Sequence, residues 1–158
     1  MNAAILCVGK LRESWQREGC AEYLKRLSRY GKYEVIQVDD QREPDNASPA
    51  QIRQIVDREG QALLGRIRPN DRVVALCIQA KAPDSLGLAE QVKRWSAGGQ
   101  RVVFVIGGSN GLSEAVLRRA DEQVSFSNLP FPHGLMRVIL LEQLYRAERI
   151  GAGEKYHK

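Results

Sequence analysis

Two stretches of the chain, Arg72-Val-Val-Ala-Leu-Cys-Ile78 and Val102-Val-Phe-Val-Ile106, carry no charged side chain beyond the leading Arg72 and are built mainly from branched aliphatic residues. A strand that faces water on one side alternates polar and apolar residues. A strand apolar along its whole length must be covered on both faces, the situation of a central strand in a mostly parallel sheet. Helices must therefore flank the sheet on both sides, and the rest of the sequence supplies them.

Ala3–Gly9 reads as a further buried strand, and residues 12–30 as a helix with Trp15, Tyr23, Leu24 and Leu27 on one side and Arg17, Lys25 and Arg29 in the basic remainder. Tyr33–Val38 is a second strand, followed by a polar loop over Asp39–Asn46. Ser48-Pro-Ala-Gln51 has the form of a helix start, with Ser as cap, Pro in the first helical position and Gln placed to reach back to the cap. Ile52, Ile55, Val56, Leu63 and Ile67 carry the helical period onward. Asp84 or Ser85 can cap a helix through Trp95, Ser113 a short helix to Arg119, and Val124–Phe126 reads as a short fifth strand. The last helix spans Pro132 to Ile150 and is apolar on more than one face. One face suffices to cover a sheet, so the second predicts a homodimer packed through this helix. The expected architecture is a three-layer α/β fold in one domain, residues 1–158, around a mostly parallel sheet of five to six strands.

The 158 residues include 43% apolar ones, enough for a sizeable core. No apolar run reaches the length of a membrane span, and Met1–Gly9 lacks the basic leader and cleavage site of a signal peptide, so a cytoplasmic protein without a membrane partner is expected. Cys7, Cys20 and Cys77 are odd in number, widely separated and in no metal-ligand spacing, so they read as reduced thiols and no metal is expected. The net charge of +5 is unevenly spread: residues 1–32 carry +4, residues 132–158 carry +2 and the middle of the chain −1. If the fold joins the two ends, they form one basic face suited to phosphates.

In an open parallel sheet, ligands bind beyond the carboxyl ends of the strands. Three segments lie there: the one after Leu76, Gly107-Gly-Ser-Asn-Gly111, and Phe126-Ser-Asn-Leu-Pro-Phe-Pro-His133. Glycines let a backbone approach a ligand closely, but this spacing is not the dinucleotide fingerprint. The proline-set loop at Phe126–Phe131 suits a planar base held by main-chain groups and stacking. His133 stands at the start of the last helix, Glu142 and Arg146 share a helix face, and Tyr156-His157 beside Lys155 and Lys158 offers an aromatic and an imidazole for RNA. These features leave open an RNA-binding factor without catalysis, and a nucleotide-binding oxidoreductase less well.

Phe104-Val-Ile-Gly-Gly-Ser-Asn-Gly-Leu-Ser113, Leu129-Pro-Phe-Pro-His-Gly-Leu-Met-Arg-Val138, Leu141-Glu-Gln-Leu-Tyr-Arg-Ala147 and the terminal Tyr156-His-Lys158 resemble, in this order, the ribosomal RNA large subunit methyltransferase H family. The resemblance runs the length of the chain. It implies a SPOUT fold with a deep C-terminal trefoil knot, a homodimer, and S-adenosylmethionine as cofactor. It also implies methylation at N3 of a pseudouridine in 23S rRNA, on the assembled 70S ribosome. Position by position, it assigns cofactor binding to Leu76, Gly107, Phe126, Ser127, Asn128, Leu129, Pro130 and Phe131. His133, Arg137, Glu142, Tyr145, Arg146, Tyr156 and His157 match positions that line or support the site. The family often has another small or polar residue where Pro130 stands. Among these, His133 and His157 are candidates to accept the imide proton, Arg137 and Arg146 to stabilise the resulting anion or bind phosphate, and Tyr156 to hold the base.

Overall fold

A computed structural model describes residues 1–156. Ten elements alternate: β1 (Asn2–Val8), α1 (Ser14–Leu27), β2 (Lys32–Val38), α2 (Pro49–Leu64), β3 (Arg72–Leu76), α3 (Ser85–Ala97), β4 (Val102–Ile106), α4 (Glu114–Arg119), β5 (Glu122–Val124) and α5 (His133–Gly151). The five strands form one sheet in the order β2-β1-β4-β3-β5, and every pair is parallel. The fold is therefore α/β as expected, with five strands among the described residues, all of them parallel. The fully apolar β4 lies at the centre, between β1 and β3.

Side chains alternate along each strand and build two cores. Ala3, Ile5 and Cys7 of β1 join Phe104, Trp95 and Leu140 on the face covered by α1, α3 and α5. Ala4, Leu6 and Val8 join Val103, Val105, Leu63 and Val116 on the face covered by α2 and α4. Helices that lead toward the β2 edge lie on the first face and those that lead toward β5 on the second, so all crossovers share one hand.

The helix starts follow the sequence chemistry. Ser48 Oγ accepts from Gln51 N at 3.2 Å while Gln51 Oε1 accepts from Ser48 N at 2.8 Å, the reciprocal cap of α2. Asp84 caps α3 through Gly87 N and Ser113 caps α4 through Val116 N.

Three local readings change. Trp15 is 52% exposed and leaves the apolar side of α1, where Cys20 joins the buried Leu27, and Tyr23 and Leu24 pack against the same core. The fifth strand lies two residues earlier than expected: Glu122 pairs with Val74, while Ser125 N leaves the ladder to donate to Lys81 O at 3.1 Å. Glu122 tolerates the strand because Trp95 Nε1 and Arg94 Nη2 each donate to its carboxylate at 2.7 Å. The apolar breadth of α5 has a use inside the chain, since the helix lies on the sheet with both α1 and α3 packed against it.

Candidate active site

The carboxyl ends of the strands carry the segments singled out from the sequence. Leu76 closes β3 beside Val124, and Gly107 follows β4. Gly107–Gly111 folds back on itself: Gly111 N donates to Gly108 O at 3.1 Å, and Gly111 has φ +82°, a conformation that favours glycine. A Cβ on Gly107 would stand 2.7 Å from the Gly111 carbonyl, so the turn closes this tightly only with glycine there.

The proline-set loop supports itself through hydroxyls. Ser127 N donates to Ser125 Oγ at 3.3 Å, and Leu129 N donates to Ser127 Oγ at 2.9 Å. Local side-chain acceptors of this kind replace ladder hydrogen bonds, and Ser125 Oγ in turn donates to Ser127 O at 3.0 Å. Phe126 and Phe131 from this loop line a groove of 440 Å³, together with Leu86 and Leu88 of α3 and Ile139 and Gln143 of α5. That volume lies in the range of small-molecule sites, and the apolar lining with a few polar groups is typical of them. Asn128, Leu129 and Pro130 are exposed at the loop's crest. Leu76 and Gly107 do not line the groove; they stand at neighbouring strand ends.

A polar cluster occupies the outer side of α5. Arg146 Nη2 donates to Glu142 Oε1 at 2.7 Å, Tyr156 OH donates to the same oxygen at 3.3 Å, and Arg146 stacks 5.0 Å from the Tyr156 ring centre. Gln143, which lines the groove, donates to Glu142 Oε2 at 2.7 Å. Groove and cluster are thus joined through one side chain. Desolvation and then the nearby Glu142 charge raise the Tyr156 pKa, so its phenol remains a donor. His157 lies outside the described residues.

His133 and Arg137 belong to a third neighbourhood, at the end of β1. Arg137 is fully buried, and its Nη2 donates to the Val8 and Gly9 carbonyls at 2.7 Å each. Its Nε and Nη1 meet no partner among the described residues. Burial first, and the Arg137 charge second, lower the pKa of His133, which keeps the imidazole neutral and able to accept a proton near neutral pH. Burial pushes the Cys7 thiol up to about 12, which removes it as a nucleophile.

One feature of the strand ends escaped the sequence reading. Glu59, 5% exposed, accepts from Gln41 N at 3.1 Å and packs under the glycine turn, where a Cβ on Gly108 would stand 2.9 Å from its Oε2. Asn110 of the turn donates to Glu43 Oε2 at 2.8 Å. The polar loop after β2 is thereby tied to the glycine turn. The available signal was Glu59 itself, a charge four residues from both Ile55 and Leu63 on the apolar stripe of α2.

The sequence model of the family described as predicted SPOUT methyltransferase matches residues 1–157. The chain belongs to the SPOUT methyltransferase family. Among SPOUT relatives, it is 46% identical over 159 residues to ribosomal RNA large subunit methyltransferase H of Bacillus pumilus (strain SAFR-032), covering 100% of both chains. The SPOUT fold of the chain is similar to that of a probable methylase family protein from Haemophilus influenzae Rd KW20, with a TM-score of 0.57 at 13% identity over 99% of this chain and 70% of that one. In this SPOUT member, no helix among the described residues is long and apolar enough to cross a membrane.

Proposed function

We propose that this SPOUT methyltransferase uses S-adenosylmethionine to methylate N3 of a pseudouridine in 23S rRNA, with the assembled 70S ribosome as substrate. The end-to-end match to a protein named ribosomal RNA large subunit methyltransferase H carries the reading. The groove beside Phe126 and Phe131 supports it, because a concave, largely apolar pocket with two aromatic side chains and a few polar ones suits an adenosine. Leu76, Gly107 and Phe126–Phe131 would hold the cofactor, which supplies an electrophilic methyl group when bound.

The protein's own task is to orient the target base and remove the imide proton. Arg146, lying over the Tyr156 ring, would offer its guanidinium plane to the target base. Arg146 would stabilise the imide anion, and either His133, whose pKa burial lowers, or His157 would take the proton. Arg137, held by two carbonyls, anchors the end of β1 beside His133. A trefoil knot through the loops after β3 and β5, cytoplasmic location, and a homodimer complete the proposal. Exposed Leu86 and Phe131 of the groove and Leu129 of the same loop would be the apolar part of the dimer contact.

Transfer of labelled methyl from S-adenosylmethionine to intact ribosomes, free subunits and naked RNA tests the reading. Label in 23S rRNA, highest with 70S particles, is expected. No label in any of the three would refute it, and calorimetric silence toward S-adenosylmethionine would favour a binding factor without catalysis.

A further inference from the structure

The chain does not simply run off the end of α5. Ala152 N donates to Glu148 O at 2.9 Å, Gly153 N to Ile150 O at 3.0 Å and Glu154 N to Arg149 O at 2.9 Å, with Gly153 at φ +73°. This left-handed glycine turn reverses the chain onto its own helix. Glu154 then reaches two elements at once. Tyr30, just beyond α1, donates its hydroxyl to Glu154 Oε1 at 2.9 Å, and Arg149 Nε lies 2.7 Å from Glu154 Oε2. The same guanidinium donates to Lys155 O at 3.2 Å and to Tyr145 OH at 3.1 Å. Beyond this bridge, the Tyr156 ring packs edge-on against Tyr145, 5.1 Å between centres, with Arg149 5.4 Å from its centre.

Chain ends fray unless something ties them down. Here the Arg149–Lys155 bond and the Tyr156 ring contacts are joined by one carboxylate, Glu154, whose partners sit at opposite ends of the sequence. A single half-buried ion pair near a chain end, such as Glu154 with Arg149, adds little to global stability. Its effect falls on where the last residues lie. With the bridge in place, Tyr156 OH reaches Glu142, the carboxylate that also holds Arg146.

We propose that Glu154 is a positioning residue for methyl transfer: bridging Tyr30 and Arg149, it seats the C-terminal segment on its own subunit so that Tyr156 reaches Glu142. This rests on the reading of the chain as an rRNA methyltransferase. The bridge joins the turn after α1 to the tail, so the seat belongs to the same chain that forms the glycine turn.

Glu154→Ala, Glu154→Gln and Tyr30→Phe variants of the full-length protein test this by four measurements: kcat and KM with ribosomes, S-adenosylmethionine affinity, melting temperature, and carboxypeptidase digestion. Glu154→Ala is expected to lower kcat about tenfold, leaving cofactor affinity within about twofold, because its partners lie away from the cofactor loops. Glu154→Gln keeps an acceptor for Tyr30 and is expected to recover part of the rate. Carboxypeptidase is expected to stall at Tyr156 in the wild type and to proceed past it in Glu154→Ala. A Glu154→Ala kcat within twofold of the wild type, an unchanged digestion pattern, or a parallel loss of cofactor affinity would each overturn the proposal. A wild-type protein inactive on every RNA would remove the functional reading and the positioning role with it, while the digestion would still report whether the bridge exists.

Discussion

Glu59 sits between Ile55 and Leu63 on the stripe that α2 turns toward the sheet. Burial, opposed by the Gln41 N–H and assisted by Asp40 and Glu43, raises its pKa. The folded state therefore holds the proton more tightly than the unfolded chain, and stability present below the ordinary glutamate value of about 4.3 is lost as pH rises through the folded value. Glutamine keeps an acceptor for Gln41 N and carries no charge to bury. Glu59→Gln is expected to match the wild type in melting temperature at pH 4 and to exceed it at pH 8 by roughly 2–4 °C, what ~1 kcal/mol brings in a chain of this length. Equal melting at both pH values would show that the carboxylate is stabilised by something other than these neighbours. At this scale the sequence was legible where chemistry is local, as at Ser48, Asp84 and Ser113. It was not legible where a charge is answered from afar: Arg137 finds its acceptors 128 and 129 positions away.

β5 is three residues long and begins on a glutamate, so backbone pairing with β3 alone would hold it poorly. Glu122 makes up the difference by joining three elements. It accepts from Trp95 of α3 at 2.7 Å, from Arg94 at 2.7 Å and, more weakly, from Arg72 of β3 at 3.4 Å. Trp95 is 1% exposed, so removing its acceptor leaves a buried indole N–H unpaired. Glu122→Ala is expected to cost ~2–3 kcal/mol, read as a lower denaturant midpoint with an unchanged slope. A loss below about 0.5 kcal/mol would mean that β5 is held by its ladder after all. The two-residue error in placing this strand has the same origin. Periodicity favours the apolar Val124–Phe126, and nothing local reveals that a tryptophan and two arginines compensate the polar start. β4, whose apolar run is self-explanatory, was legible to the residue.

On the scale of the whole molecule, the two basic ends of the sequence do come together. α1 packs beside α5, the Met1 amine lies 3.9 Å from Glu148, and Tyr33 bonds the same carboxylate. The sequence stated this only as a condition, because charge composition carries no information about which helices share a sheet face. The breadth of the apolar surface on α5 was legible, yet its use was not. Packing between α1 and α3 accounts for much of it, which moves the proposed dimer contact toward the groove rim. Leu86 and Leu129, 56% and 69% exposed, can be changed with little effect on the fold. The double variant Leu86→Glu, Leu129→Glu is expected to sediment as a monomer with an unchanged melting profile at matched low concentration. A persistent dimer would place the contact elsewhere.

The strand order also sets a timetable. β1 is the first strand made, but one of its two neighbours is β4, with Ala3 opposite Val102. A segment of almost pure Ala, Ile, Leu, Cys and Val must wait for a partner about a hundred residues downstream, and non-local pairing of this kind slows folding. During synthesis at about 5–20 residues per second, that interval leaves β1 half-covered for seconds. Refolding from denaturant faces the same closure without a vectorial start. Charge substitutions that stiffen or displace β2, the neighbour available early, are where misassembly and chaperone dependence would first appear.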